Sequence, residues 1–320
     1  MKKRIWAFYM MLGEHMWQDE TSPAPGLCLP KAYREEMGTE LAAWDEIVSF
    51  LPSQGIDTVL IDLGDGVRLD SHPEIAVPNA WSKEFLRGKL DEMRALGLTP
   101  IPKLNFSSAH SGWMKQYRRM TSSGAYYGFC REVVSEVCEL FGNPELFHLG
   151  LDEEDVPNQR WKDLTIVRGE ELWRHDCLFL FDCCMKNGAR PWIWSDYCWA
   201  HPEAFRRFMP KEVVQSNWFY FNMLADGKTS DPPGWETAFR AFEELEALGY
   251  DQIPASSTWA NETATMQVAA HCRRVVAPER LMGFLTAAWY PTQARHLYTL
   301  KNDAHRLALA KRENFPDGTR

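Results

Sequence analysis

The sequence lacks the features that mark several common classes of protein. It contains no run rich in Lys and Arg, and its formal net charge is −9, so we expect no nucleic-acid partner. No Gly-x-Gly-x-x-Gly or Walker loop is present, which argues against an open sheet that binds nucleotides. No apolar run approaches the roughly 20 residues that a membrane-spanning helix requires, so we expect no membrane partner either.

The sequence also lacks the paired spacing of metal ligands. Eight cysteines are present, but no Cys-x-x-Cys pair occurs, and only Cys183 and Cys184 are neighbours. The basic and apolar start, MKKRIWAFYMML, has no small-x-small cleavage site, and we interpret it as a first β-strand rather than a signal peptide. These features predict a reduced, cytoplasmic protein with mostly buried thiols, no metal site and no cofactor. They do not indicate an oligomeric state.

The sequence does contain a regular alternation of short apolar segments with amphipathic ones. The apolar segments predict buried parallel strands at 4–12, 57–63, 98–104, 145–151, 190–195, 212–218, 251–258 and 280–289. The amphipathic segments predict helices at 40–55, 82–97, 126–142, 170–188, 201–209, 236–249, 263–276 and 293–312. About eight such units fill the chain. We therefore predict a single-domain (β/α)8 TIM barrel over residues 1–320, with a doubly wound open sheet as the main rival.

Polar and aromatic residues concentrate at the carboxyl ends of the predicted strands, where a barrel places its functional groups. Fourteen tryptophans are present, several times the average share, and four of them end successive strands: Trp194, Trp218, Trp259 and Trp289. Flat rings with polar tips complement the apolar C–H faces and hydroxyl edges of a sugar. We therefore predict a carbohydrate substrate, held by these four rings and by polar residues at the same rim of the barrel, namely His110, His148, Asp196 and Tyr220.

One predicted strand runs directly into four acids, in the segment FHLGLDEEDVP at 147–157. Alternate residues of a strand share a face, so His148, Gly150 and Asp152 are predicted to point together toward the barrel axis. Glu153 lies where the strand gives way to a loop, and it can enter the same cleft. The strand is therefore predicted to deliver two neighbouring carboxylates to one place.

Two carboxylates a few ångströms apart raise the pKa of one of them, which leaves an acid protonated near neutral pH. Glycosidic cleavage needs such an acid to protonate the leaving oxygen. We therefore predict that Asp152 and Glu153 are catalytic. Glu154 and Asp155 have no such placement, and we interpret them as a solvated loop with a capping role.

The segment HLGLDEE resembles the His-x-Gly-Gly-Asp-Glu motif that ends the fourth strand of family 20 glycoside hydrolases, the β-N-acetylhexosaminidases. His148, Gly150, Asp152 and Glu153 match this motif, and Leu151 replaces its second Gly. The likeness extends more weakly to the later segments WIWSDY, SNWFY and GFLTAAWYPT. The resemblance implies a retaining hydrolase of β-linked N-acetylhexosamine-type sugars.

The resemblance also implies roles for individual residues. Glu153 corresponds to the general acid/base, and Asp152 to the residue that orients the substrate's 2-acetamido group. The carbonyl oxygen of that group is the nucleophile in the family. The pocket for the acetamido group is formed in the family by Trp residues and a Tyr, for which the candidates are Trp218, Tyr220, Trp259 and Trp289.

Two further features depart from the family. Its sugar-gripping Arg at the end of the first strand has no counterpart, because Glu14 and His15 stand there. The small α/β domain that precedes the barrel in the family has no counterpart in this sequence. These departures, together with Leu151, predict a divergent relative that consists of the barrel.

The residues alone leave other functions open. A two-carboxylate glycosidase would pair Glu153 with Glu262 or Asp196. Glu262 equally fits the first turn of a helix that Asn261 caps. A carbohydrate-binding barrel would keep the ring wall without catalysis.

A third alternative is a metal-dependent lyase or isomerase. Such an enzyme would use His15, His110 and His148 together with the acids as ligands. These histidines are dispersed along the chain, and their spacing indicates no coordination geometry.

Overall fold

The computed structural model describes residues 4–20, 32–229 and 234–316. The strands in these ranges are β1 Ile5–Met11, β2 Thr58–Asp62, β3 Val67–Arg68, β4 Trp81–Ser82, β5 Thr99–Lys103, β6 Leu146–His148, β7 Arg190–Trp194, β8 Val214–Ser216, β9 Trp218–Phe219, β10 Ala255–Ser256 and β11 Gly283–Thr286. β3 and β4 form a small separate sheet, and the other nine form one sheet in the order β8-β7-β6-β5-β2-β1-β11-β10-β9. Every recorded pairing in this sheet is parallel.

The sheet closes into a barrel through its two terminal strands. β8 and β9 are separated only by Asn217, so together they form one barrel strand that pairs with β7 on one side and β10 on the other. Eight strand positions result, with helices between them. The predicted (β/α)8 barrel is therefore confirmed.

The helices of the described ranges follow the predicted order. They are α1 Leu41–Phe50, α2 Lys83–Ala95, α3 Gly124–Leu140, α4 Glu170–Lys186, α5 Tyr197–Ala200, α6 Pro202–Phe208, α7 Glu236–Ala247, α8 Ala264–Val275 and α9 Leu297–Asn314. Only α5, a single turn, lacks a predicted counterpart. α2, α4 and α7 end just before Gly97, Gly188 and Gly249, whose φ angles of 77–79° suit glycine because it has no Cβ. No helix in the described part of the chain is both long and apolar enough to cross a membrane.

Two apolar layers hold the barrel together. Large rings fill the interior, among them Tyr9, Trp192 and Trp194, each at most 1% exposed. The second layer lies between the strands and the surrounding helices, where Phe8 and Ile61 are fully buried. Because each strand is buried on both faces, its sequence is continuously apolar rather than alternating.

Several strands are shorter than the apolar segments that predict them. Segment 251–258 forms a named strand only at Ala255–Ser256, and segment 280–289 only at Gly283–Thr286. Apolarity reports burial, and it does not mark where the hydrogen-bond ladder ends. Trp259 and Trp289 consequently lie in loops beyond the strand ends.

The cysteines within the described residues are seven free, buried thiols. Burial raises the pKa of Cys130, Cys177 and Cys184 well above the ordinary value, so these thiols remain neutral. Cys28 lies outside the described residues.

Candidate active site

A cleft of about 230 Å³ opens at the carboxyl ends of the barrel strands. Its lining residues are Met16, Trp17, Lys103, Asn105, His110, Asp152, Glu153, Trp194, Trp218, Tyr220, Phe221, Trp235, Trp259, Ala260 and Trp289. The volume lies below the ~300–1,000 Å³ that is usual for drug-sized ligands, which favours a small ligand.

Aromatic rings form the wall of this cleft, and the four predicted tryptophans all contribute to it. The rings of Trp218 and Tyr220 are stacked with centroids 4.9 Å apart, and Trp194 lies 5.9 Å from Trp289. Trp259 is 39% exposed, whereas Trp194 is almost fully buried. The indole N–H of Trp194 is buried and finds no acceptor in the described part of the chain. The wall therefore offers stacking surfaces to a ligand.

The acids reach the cleft through a left-handed turn. β6 ends at His148, and positive φ angles follow at Gly150 (70°), Leu151 (68°) and Glu153 (56°). The prediction of an extended strand to residue 151, with alternating faces that aim Asp152, is therefore wrong. Left-handed conformations are strained for Leu and Glu, and such strain persists only where the surroundings hold it.

Asn105, which follows β5, holds this turn. Its side-chain N–H donates to Asp152 Oδ1 (2.8 Å), and its Oδ1 accepts the backbone N–H groups of Ser107 (3.0 Å) and Leu151 (3.2 Å). A Cβ atom on Gly150 would lie 1.9 Å from that same oxygen. Glycine is therefore required at position 150 both by its φ angle and by the close approach of Asn105.

His110 lies between the two acids. Its Nε2 is 3.1 Å from Asp152 Oδ2 and 3.1 Å from Glu153 Oε2. Burial opposes the charged imidazole, but the two carboxylates outweigh it and raise the pKa of His110 to about 9. Burial likewise opposes the charged form of Asp152, but His110, Lys103 and Asn105 hold the pKa of that carboxyl well below its usual range. At neutral pH the site therefore contains a His110 cation paired with an Asp152 anion.

Asp196 supports the site from behind. Its Oδ2 accepts the backbone N–H of Glu153 (2.7 Å), and its Oδ1 accepts the indole N–H of Trp218 (3.2 Å). It lies behind the residues that line the cleft, and its contact with the substrate stays a prediction. Burial, followed by the charge of Asp152, raises the pKa of Asp196 to about 8.

His148 lies below the cleft rather than in it. Its ring is fully buried between those of Trp192 and Trp194, with centroids 4.8 and 4.6 Å away, and its Nδ1 accepts the N–H of Gly150 (3.0 Å). Burial, with a smaller contribution from Lys103, holds the pKa of His148 well below its ordinary value. This neutral ring is part of the barrel core, and the predicted contact of His148 with the substrate stays a prediction.

The two acids that follow Glu153 differ from each other. The Glu154 side chain is only 6% exposed, and its Oε1 pairs with Arg168 and accepts the N–H of Ser108 (2.9 Å). The prediction of a solvated Glu154 is wrong, because its cationic partner is 14 positions away in the sequence. Asp155 is exposed and accepts the N–H of Asn158 (2.7 Å), in agreement with the predicted capping role.

Glu262, the other candidate for a second carboxylate, lies outside the cleft. Its side chain is 61% exposed and pairs with Arg306 of α9. The neighbouring Asn261 accepts the N–H of Thr263, just before α8 begins. Glu262 therefore belongs to a surface helix start.

The histidines of the metal hypothesis do not converge. His15 is buried against Asp65, with Nδ1 2.6 Å from Oδ2, and does not line the cleft. Among the described residues, the atoms that could share one ion are those of His110, Asp152 and Glu153, which lie within 4.8 Å of one another. A metal ion there would have to displace the proton through which His110 bridges the two acids.

Several cleft residues were not among the predicted site residues. Lys103 is the last residue of the apolar strand β5 and pairs with buried Asp62, and Asn105 follows that strand. Polar residues at the end of an apolar segment are a signal that could have identified both. Trp17 and Trp235 come from loops without periodicity, so no local pattern indicates them.

The barrel resembles solved structures of one class of enzyme. No family model matches this sequence, and no curated protein matches it either. Solved β-N-acetylhexosaminidase structures, however, share the barrel over nearly the whole chain. At identities of 12–15% this likeness shows the fold, and it confirms at that level the resemblance predicted from the sequence.

Three of these structures illustrate the extent of the match. Pneumococcal StrH aligns over 98% of this chain and 86% of its own, with 12% identity and a TM-score of 0.63. The exo β-N-acetylglucosaminidase of Vibrio harveyi, in complex with N-acetylglucosamine, aligns over 99% of this chain and 58% of its own (15% identity, TM-score 0.61). Dispersin B aligns over 98% and 99% (15% identity, TM-score 0.60).

Proposed function

We propose that this chain is a glycoside hydrolase that cleaves β-linked N-acetylhexosamine-type sugars with retention, using the substrate's acetamido group as nucleophile. The observation that carries the proposal is the placement of Asp152 and Glu153 in one aromatic cleft, with His110 3.1 Å from each. The fold shared with a structure that holds N-acetylglucosamine supports the choice of sugar.

The position of the two carboxylates favours a nucleophile carried by the substrate. A two-carboxylate glycosidase places one acid on each side of the scissile bond. Here both acids contact the same imidazole nitrogen, so His110 occupies the space between them. Asp196 lies behind Glu153, and Glu262 lies outside the cleft. Within the described ranges no opposing carboxylate lines the cleft.

In the proposed reaction Glu153 protonates the leaving oxygen as the acetamido carbonyl oxygen attacks C1. The C1–O bond to the aglycone breaks while the new C1–O bond forms. Asp152, kept ionised by His110, binds the acetamido N–H and stabilises the positive charge that develops on that group. Glu153 then takes a proton from the water that opens the cyclic intermediate at C1.

The replacement of the motif's second Gly by Leu151 is compatible with this reaction. Leu151 has a φ angle of 68°, the left-handed conformation that glycine adopts most readily. Its side chain is 1% exposed and packs in the strand–helix layer, where burial of an apolar side chain offsets the strain. The polar groups of the cleft therefore keep their places despite the substitution.

Hydrolysis of two chromogenic substrates tests the proposal. We expect release of nitrophenol from nitrophenyl β-N-acetylglucosaminide and none above background from nitrophenyl β-glucoside, which lacks the 2-acetamido group. Equal rates on both substrates would instead indicate a protein nucleophile. Binding of N-acetylglucosamine without cleavage of either substrate would indicate a carbohydrate-binding barrel, and loss of activity with a chelator would indicate metal chemistry.

A further inference from the structure

We infer that Glu154 is a positioning residue, which together with Arg168 holds His110 in place against Asp152 and Glu153. The catalytic meaning of this inference rests on the proposed function, whereas the placement rests on contacts alone.

His110 and Glu153 come from different loops and need an external constraint to meet. His110 ends a short 3-10 turn, Ser108–His110, that follows β5. Glu153 follows β6 in a left-handed conformation, with a φ angle of 56°. Such a conformation is retained only where neighbouring groups determine it. The backbone N–H of Glu153 is held by Asp196, but that bond does not reach the turn that carries His110.

Glu154 makes a direct connection between the two loops. Its Oε1 accepts the N–H of Ser108, two residues before His110, at 2.9 Å. The same oxygen pairs with Arg168, and the side chain is only 6% exposed. Hydrogen bonds of Ser107 Oγ and of the Asn105 side chain connect the same two loops beside it. The loop of the acids and the turn of His110 are therefore joined directly.

Arg168 in turn anchors Glu154 to two helices of the barrel. The guanidinium is 2% exposed, and it lies 2.9 Å from Asp176 Oδ2 on α4. Asp176 is fully buried and accepts hydrogen bonds from Ser122 Oγ (2.6 Å) and from Tyr127 OH of α3 (2.5 Å). Arg168 thus has two carboxylate partners, which compensate its buried charge. The position of Glu154 is therefore determined through Arg168 by the packed helices α3 and α4.

The test uses Glu154→Ala, which removes the acceptor and the charge, and Glu154→Gln, which retains an acceptor for Ser108. We expect the NMR titration of His110, assigned by comparison with His110→Gln, to shift to lower pH in Glu154→Ala, because the imidazole loses contact with its carboxylates. We also expect kcat to fall on the order of 10²-fold, the effect of an ångström-scale misplacement, with KM nearly unchanged. The pH profile of kcat/KM should shift in the same direction as the His110 titration.

Glu136→Gln is the matched control. Glu136 is 12% exposed, accepts the backbone N–H groups of Asp70 (2.7 Å) and Ser71 (2.9 Å), and pairs with Lys83 (2.8 Å) away from the cleft. We expect it to lower the melting temperature while leaving the His110 titration and the pH profile as in the parent.

The inference is overturned if both Glu154 variants lower only the melting temperature and leave the His110 titration unchanged. If Glu154→Ala does not fold, the triple variant Glu154→Gln/Arg168→Gln/Asp176→Asn removes the three buried charges together, and the titration of His110 is measured in that variant. A parent protein that cleaves no glycoside refutes the proposed function only, since the titration needs no substrate.

Discussion

Glu153 and Asp155 lie two positions apart, yet their surroundings give them different expected roles. The Glu153 carboxylate lines the cleft beside His110, whereas Asp155 is exposed and caps a surface turn. Since general acid catalysis contributes typically 10²–10⁴-fold, Glu153→Gln should lower kcat by about that factor and leave ground-state binding nearly intact. Steady-state kinetics on the acetamido substrate measure the effect.

Asp155→Asn is the control for this prediction, because asparagine can still cap the turn. We expect parental kinetics from it. Undiminished activity in Glu153→Gln would mean that Glu153 belongs to an acidic loop without a catalytic role.

Trp259 offers the clearest measurement of stacking at the residue scale. It is 39% exposed, so truncation removes a binding surface without opening a cavity in the core, unlike truncation of the buried Trp194. Trp259→Ala should weaken binding of N-acetylglucosamine by roughly 1–3 kcal/mol, in the range for a buried large side chain. Calorimetric titration measures this change. Tyr298→Ala, which removes an 84% exposed ring of α9, should bind as the parent does, and equal affinities for all three proteins would remove Trp259 from the site.

At the scale of elements, the left-handed turn after β6 is the least tolerant connection in the site. Gly150 and Gly188 have φ angles of 70° and 77°, but a Cβ would clash with Asn105 only at position 150, with open space around position 188. Gly188→Ala should lower the free energy of unfolding by about 1–2 kcal/mol, because alanine is strained in a left-handed conformation. Gly150→Ala should lower the free energy of unfolding by clearly more than Gly188→Ala does. It should also reduce activity, because the new Cβ displaces Asn105 from Asp152. Denaturant unfolding compares the two variants, and equal losses of stability would show that the clash is relieved without cost.

The connections between elements also explain which elements the pattern predicted well. Helix ends were predictable at Gly97, Gly188 and Gly249, because the same residue both stops the helix and tolerates a positive φ angle. The end of β6 was not, because Leu151 and Glu153 adopt left-handed conformations that their residue types rarely take.

For the whole molecule, the ion pair in the cleft predicts how stability depends on pH. The pKa of His110 is raised from 6.5 to about 9. Its contribution to the free energy of unfolding is therefore complete below pH 6.5 and is lost as the pH rises through about 9. The pKa of Asp152 is lowered from 3.8, so its contribution is complete above that value and is lost in stronger acid. The pair therefore stabilises the fold most between about pH 4 and 6.5.

We expect the melting temperature of the parent to fall between pH 6.5 and 9, and His110→Gln to show a smaller fall over this interval. Asp196 contributes in the same direction, because its pKa is raised from 3.8 to about 8 and its contribution is lost as the pH rises through that value. The variant should therefore retain the part of the fall that is due to Asp196. Thermal unfolding across this interval measures both proteins, and parallel curves would exclude His110 as the titrating group.

The sequence by itself determined the barrel and the approximate place of its cleft. Continuous apolar strands alternating with amphipathic helices have few compact arrangements, and parallel strands bring their carboxyl ends to one rim. Trp194, Trp218 and Trp289 could therefore be assigned to a common cleft from their positions at strand ends, as could Asp152 and Glu153.

Only the tertiary structure decided which side chains pair with one another. His110 bridges two acids more than 40 positions away, Glu154 is buried by Arg168, and His148 is enclosed by rings of the neighbouring strand. Periodicity reports which face of a segment is buried, but it contains no information on the conformation of a left-handed turn or on partners from other loops. Protonation states likewise depend on the tertiary structure, because the pKa of Asp196 is raised by burial and by the charge of Asp152, which follows a different strand.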